Sequence, residues 1–141
     1  QKISYCIDES NFKLDFTRNR IRHEILSKLK KYNKKTVEHL FNLSKIVASE
    51  NEFLNVFTNK ALKKSAKFGI DKISLDLNEF FRYNKTIQYR ILKRILPEKI
   101  SLLNIEKVFD FLVDSKKNHI DLSGTWKVRK NNQKSYFLKV Q

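Results

Sequence analysis

Between Arg18 and about Tyr32, apolar residues at Ile21, Ile25 and Leu29, with Leu26 beside them, recur at helical spacing and predict a first helix beginning near Thr17. Asn33 is placed to cap a second helix. From about Lys35 to Phe68 no proline or glycine interrupts a stripe through Val37, Leu40, Phe41, Val47, Leu54, Phe57, Ala61 and Leu62, and Gly69 ends it. Unbroken, that helix would be about 50 Å long at 1.5 Å per residue, the spine of a small helical domain; a break near "ASENE" (48–52) is the alternative. Beyond Gly69, "ISLDL" (73–77) alternates as a strand does and needs a partner, which the C-terminal region can supply. Asn78 and Asn84 are placed to cap "EFFRY" and "KTIQYRILKRIL", Pro97 closes the latter, and Ser101 to Ser115 predicts another amphipathic helix. The stretch "HIDLSGTWKVRKNNQKSYFLKV" then alternates apolar and polar residues around Asn131 and Asn132, which tolerate the backbone of a tight turn, so it predicts a β-hairpin. At the other end "KISYCI" (2–7) is rich in β-formers but has no neighbouring strand. The expected fold is mainly α: a helical domain with a long central helix, an N-terminal extended arm and a small C-terminal β-hairpin or sheet.

Composition agrees with a folded chain. Of 141 residues, 40% are hydrophobic and 32% charged, far from the signature of disorder, and a chain of this size buries roughly two-thirds of its unfolded surface. The net charge of +15 favours an anionic partner: RNA, DNA or an acidic membrane surface. Codon usage rich in lysine and asparagine would supply part of that excess, so the placement of the cations matters more than their sum. Cys6 is the only cysteine, which excludes an internal disulfide and any multi-cysteine zinc site and agrees with a reducing compartment. No apolar run has the length of a membrane span and no signal-peptide core precedes the first helix, so a cytoplasmic protein is expected. Gln1 stands where an initiator methionine would, no methionine occurs anywhere, and the first strand has no neighbour. An excised piece of a longer protein is the natural expectation.

Gly69 and Gly124 are the only glycines and stand far apart, so no glycine-rich phosphate cradle can be built from this chain. His23, His39 and His119 lack the spacing of metal ligands, and Glu50 with Glu52 reads as a solvated helix edge, so neither a metal site nor catalysis by this chain alone is expected. Three basic arrays remain. Lys60, Lys63, Lys64 and Lys67 share one helical face, suited to phosphates or equally to solvent at a negative helix end. Arg82, Arg90, Lys93 and Arg94 lie among Tyr83 and Tyr89, a combination that suits nucleic acid, although some of those aromatics belong in a core. Lys127, Arg129, Lys130 and Lys134 flank the hairpin turn. Together they favour a polyanion.

Asp8, Ser10 and Asn11 in "DESN", followed by Arg18-Asn19-x-Ile21-Arg22 in "FTRNRIRHEIL", carry a more specific signal. This pattern resembles the Asp-x-Ser-Asn and Arg-Asn-x-Ile-Arg signature of the tRNA(Ile)-lysidine synthetase family, and the closing "IDLSGTWKVRK" resembles the end of that family's middle domain. Ser27 departs from the family's usual proline after Ile-Leu. The resemblance implies that residues 1–17 are the tail of an ATP-pyrophosphatase domain missing here, and that 18–141 are a helical tRNA-binding middle domain ending in a β-hairpin. It implies an ATP-dependent, tRNA-modifying ligase that activates the C2 carbonyl of the wobble cytidine in tRNA(Ile) and lets free L-lysine displace AMP to give lysidine. ATP and magnesium would serve the full-length enzyme, with neither bound by this fragment, which alone would be inactive. A homodimer is left open. By the same resemblance Asp8, Asn11, Arg18, Asn19 and Arg22 border the active site; of the basic arrays read from the chain itself, Lys60, Lys63, Lys64, Lys67, Arg82, Arg90, Arg94, Lys127, Arg129 and Lys130 are the candidates to meet the tRNA. A structural capping and salt-bridge role weighs about equally for Asp8 and Asn11, and less for Arg18 and Arg22, because exposed ion pairs contribute only about 0 to 1 kcal/mol. The alternative function is a non-enzymatic helical nucleic-acid-binding module.

Overall fold

The computed structural model describes residues 15–96, 100–122 and 126–139. They fall into two compact units, Gln1–Glu50 and Asn51–Gln141. The expected arm at 2–7, together with Asp8, Asn11, Pro97 and Gly124, lies outside the described residues.

In the first unit α1 (Thr17–Arg20) passes into a π-helical segment (Ile21–Leu26) and then into α2 (Ser27–Tyr32). Helical spacing alone predicts one regular helix here; the structure inserts a wider turn. The Ser27 hydroxyl donates back to the His23 carbonyl, and more weakly to that of Glu24 at 3.4 Å, competing with the backbone ladder at the end of that turn. Asn33 then turns the chain: its Oδ1 accepts from the Lys35 N–H at 2.9 Å and its carbonyl from the Thr36 hydroxyl at 2.6 Å. From there α3 (Thr36–Ser65) runs unbroken through "ASENE". Among the described residues of this unit only Asn19 is buried.

The second unit holds the core. Where α3 enters it, the side chains turned inward are small: Thr58, Ala61 and Ser65, whose two hydroxyls donate to the carbonyls of Leu54 and Ala61 one turn back. The expected helix to Phe68 stops at Ser65, because Ala66–Phe68 forms a strand, β1, that pairs with β2 (Lys72–Asp76). Gly69 makes the connection, its N–H donating to the Lys72 carbonyl at 2.9 Å; a Cβ there would stand 3.0 Å from that oxygen, so a side chain would crowd the turn. Asp76, not Asn78, caps the short α4 (Leu77–Phe80) by accepting from the Glu79 N–H. Asn84 caps α5 (Lys85–Ile95), as its position predicts, and Ser101 caps α6 (Leu102–Val113).

Three further strands, β3 (His119–Leu122), β4 (Trp126–Lys130) and β5 (Lys134–Lys139), complete a five-stranded antiparallel sheet in the order β1-β2-β5-β4-β3. The hairpin turn between β4 and β5 is held by Asn131, whose Oδ1 accepts from the N–H groups of Gln133 and Lys134. β5 is the partner "ISLDL" requires: Ser135 lies opposite Leu75 and Phe137 opposite Ile73. The sheet is thus larger than the expected hairpin, because residues 66–76 and 119–139 pair across a long stretch of sequence. Its inner face presents Leu75, Val128 and Phe137, all fully buried, towards α4 and α6, while α5 packs on α6 through Ile87, Ile91, Leu92, Val108 and Phe111. Each large apolar side chain so buried contributes about 1.5–3 kcal/mol. The buried Gln88 amide donates to the carbonyls of Phe80 and Tyr83, fastening the α4–α5 connection without an unsatisfied group.

Candidate nucleic-acid interface

Because Ile87, Ile91, Leu92 and Ile95 turn one face of α5 to the core, the intervening Arg90 and Arg94 are left half-buried along its flank, beside α3. There α3 offers Asn51, Asn55 and Asn59, one per turn, on a single face. Arg90 donates to Asn51 Oδ1 at 2.7 Å and to Asn55 Oδ1 at 3.1 Å; Arg94 donates to Asn55 Oδ1 at 2.9 Å and to Asn59 Oδ1. The two planar forks interlock with three amides, and the amides orient the guanidiniums without neutralising them. With the exposed Lys93, four of these residues line a groove of about 500 Å³. Between described residues the one salt bridge joins Arg82 to Glu79 at 2.7 Å, so the ladder's two positive charges meet no carboxylate there. Such a groove can accept the oxygens of a phosphate.

The arginines of this site were visible in the sequence, and the asparagines that fix them were not. Their recurrence at every fourth residue from 51 to 59 was the available signal, matched by the same spacing from Arg90 to Arg94 across 35 residues or more. Tyr83 and Tyr89 face elsewhere, packing edge-on against Phe57 and Phe109 at the border of the core.

The other basic arrays are divided by the fold. Lys60, Lys63 and Lys64 are exposed on the last turns of α3, but Lys67 leaves their helical face because it belongs to β1. Arg82 is exposed and occupied by Glu79. Along β4 the side chains alternate, so Lys127 and Arg129 lie on the solvent face while Lys130 is turned under the sheet. There the Lys130 ammonium donates to the carbonyls of Phe111, Leu112 and Asp114 at the end of α6 and lies 4.7 Å from the centre of the Phe111 ring. Burial pushes its pKa below the ordinary lysine value, against the opposing pull of the Asp114 carboxylate. Lys130 is thus a helix-capping cation, placed apart from Lys127 and Arg129.

In the first unit Arg18 and Arg22 are exposed and Asn19 is 2% exposed, so the motif's amide is the part built into the structure. Arg18 lies 5.2 Å from the Phe16 ring centre. Arg22 sits within the π segment, an irregularity more frequent at functional sites than elsewhere. No group of three histidine, cysteine or carboxylate side chains gathers among the described residues, and none of their helices is long and apolar enough to cross a membrane.

Oriented guanidiniums that meet no carboxylate among the described residues, with further exposed cations on the sheet, form the kind of surface that meets polyanions. Sequence comparison makes the kinship specific. Over 97 residues the chain is 35% identical to the tRNA(Ile)-lysidine synthase of Persephonella marina, covering 69% of this chain and 20% of that protein. It is 32% identical over 89 residues to the tRNA(Ile)-lysidine synthase of Geobacillus kaustophilus, covering 63% and 19%. The tRNA(Ile)-lysidine synthase of Buchnera aphidicola (from Acyrthosiphon pisum) matches at 26% over 147 aligned residues, covering all of this chain and 33% of that protein. No family model matches. The chain resembles the tRNA(Ile)-lysidine synthases over much of its length, as its "DESN" and "TRNRIR" motifs imply, and it spans about a fifth of the first two relatives.

Proposed function

We propose that this chain is the region of a cytoplasmic tRNA(Ile)-lysidine synthetase that holds tRNA(Ile) while the wobble cytidine is converted to lysidine with ATP and L-lysine. The Arg90–Arg94 ladder grips backbone phosphates, with Lys60, Lys63, Lys64, Lys67, Lys127 and Arg129 adding weaker, exposed contacts. Arg18, Asn19 and Arg22, with Asp8 and Asn11 ahead of them, border the active site. ATP and magnesium would serve the full-length enzyme, and no chemical step is assigned to either in this chain, whose sequence has only two glycines, far apart. Adenylation belongs to the remainder of the enzyme, and this region contributes position and charge.

The observation that carries this reading is the pair of guanidiniums fixed by neutral amides and, among the described residues, left without a carboxylate. The relatives' names favour the synthetase over a non-enzymatic nucleic-acid-binding module, which would share the ladder and would grip duplex DNA as well as tRNA. The test is the salt dependence of tRNA binding by the full-length protein with Arg90→Ala and Arg94→Ala together. Each lost phosphate contact should lower the log-log slope by about 0.7 to 0.9, and the affinity with it. An unchanged slope would remove the ladder from the RNA interface.

A further inference from the structure

The register of the sheet sets out a row of side chains that crosses all five strands on the face away from the core. Lys67 pairs with Ser74, Ser74 with Tyr136, Tyr136 with Arg129, and Arg129 with His119. Beside it runs a second row, Lys72, Leu138, Lys127 and Asp121. The alternate residues of these strands, Leu75, Phe137 and Val128, are fully buried, which fixes both rows on the solvent side. Tyr136 is half-buried on the central strand, and the Lys72 ammonium lies 5.9 Å from its ring centre.

The arrangement is one aromatic ring among four exposed cations: Lys67, Lys72, Lys127 and Arg129. Strands are spaced about 4.8 Å apart, so Arg129 stands one strand from Tyr136 on one side and Lys67 two strands away on the other, roughly 10 Å. Asp121 is the one carboxylate in the two rows and sits on the edge strand β3. Cations alone would suit any acidic surface. A ring in their midst adds a flat apolar face, which phosphates do not use and nucleobases do. In a duplex both faces of a base are covered by its neighbours, so an unpaired base is the one able to stack there.

We propose that this sheet face is a second RNA contact, in which one unpaired nucleotide stacks on Tyr136 and its flanking phosphates are held by Lys67, Lys72, Lys127 and Arg129. The proposal rests on the RNA-handling reading above and assigns an unpaired nucleotide to a surface distinct from the Arg90–Arg94 groove. It gives Tyr136 a function that cross-strand packing alone would not require.

The test uses the full-length protein with Tyr136→Leu and Tyr136→Phe, a short single-stranded RNA, and a blunt RNA duplex of the same length. Tyr136→Leu should weaken single-strand binding about tenfold and leave duplex binding within about twofold, while Tyr136→Phe keeps both, since stacking needs the ring and not the hydroxyl. Equal losses for both probes, or none, would overturn the platform, and an acidic protein partner would be indifferent to the ring. Should Tyr136→Leu fail to fold, the wild-type protein decides: 5-iodouridine RNA should photocrosslink to Tyr136, and labelling confined to other residues overturns the proposal. If the Arg90/Arg94 variant loses tRNA while Tyr136→Leu binds single strands normally, the platform alone is wrong. If the ladder variant keeps its full salt slope while Tyr136 crosslinks, the platform stands and the ladder falls.

Discussion

The two halves of α3 carry apolar residues at similar spacing, yet their surroundings differ. In the N-terminal half, Val37, Leu40, Phe41 and Val47 are all exposed, Phe41 at 57%. In the C-terminal half, Leu54 and Leu62 lean against the core and Thr58, Ala61 and Ser65 are buried. The side chains that enter the core from this helix are therefore not its largest: Phe53 and Phe57 stay exposed while a threonine, an alanine and a serine pack inward. Periodicity identifies which face of a helix is apolar. What covers that face depends on partners that a helical pattern cannot name, and where this helix meets the core the inward side chains are small, with hydroxyls satisfied by their own helix.

Truncating one phenylalanine in each unit would test this contrast most severely. Phe137→Ala, at a fully buried position in the central strand, should lower stability by about 3–5 kcal/mol through lost transfer energy and a cavity. Phe41→Ala removes a side chain already in contact with water and should change stability by about 0.5 kcal/mol at most. Urea midpoints compared at unchanged slope would measure both. A comparable loss from Phe41→Ala would mean that its face is covered, and the contrast between the halves would vanish.

Capping offers a second, smaller comparison. Asn84 Oδ1 accepts the Ile87 N–H at 3.0 Å at the start of a helix that the core depends on, so Asn84→Ala should cost about 1 kcal/mol. Ser27 instead donates to carbonyls on an exposed helix, where water is an adequate substitute. Ser27→Ala should change stability by no more than a few tenths of a kcal/mol. Amide exchange of residues 87–95 against 27–32 would resolve the two. Equal protection losses would make the first unit as cooperative as the second.

What the sequence disclosed follows a physical line. Local signals were legible: Asn84 as a cap, the Asn131 turn, and the apolar face of α5 all depend on residues within a few positions of one another. Asp76 lies inside an alternating strand pattern that hides it as the cap of α4; it serves both as the last residue of β2 and as the cap. β1 was hidden because Ala66–Phe68 follows thirty helical residues with no breaker, and only its pairing with Leu75, Ser74 and Ile73 makes it a strand. Pairing is nonlocal and leaves no mark in three residues. The candidate site divides the same way: its charges were plain in the sequence, while the amides that orient Arg90 and Arg94 come from 35 to 39 residues away.

Lys130 allows the finest of these comparisons, between a cation turned under the sheet and its neighbour Arg129 on the solvent side. The Lys130 ammonium donates to three carbonyls at the end of α6, but burial outweighs the opposing pull of the Asp114 carboxylate and depresses its pKa. In the native state the group therefore releases its proton before it does so in the unfolded chain. Through the alkaline window that ends near the ordinary lysine value, the unfolded state binds more protons, so this residue's contribution to stability rises with pH. Lys130→Met, which keeps the apolar stem over Phe111, deletes that dependence. The stability difference, wild type minus variant, should climb as pH approaches the ordinary lysine pKa and level off above it, when urea midpoints are taken from about pH 8 to pH 11. A difference that falls over that range would mean that the carbonyls and Asp114 hold the ammonium charged more firmly than water does, and Lys130 would then be a stabilising cap in full rather than a buried charge partly relieved.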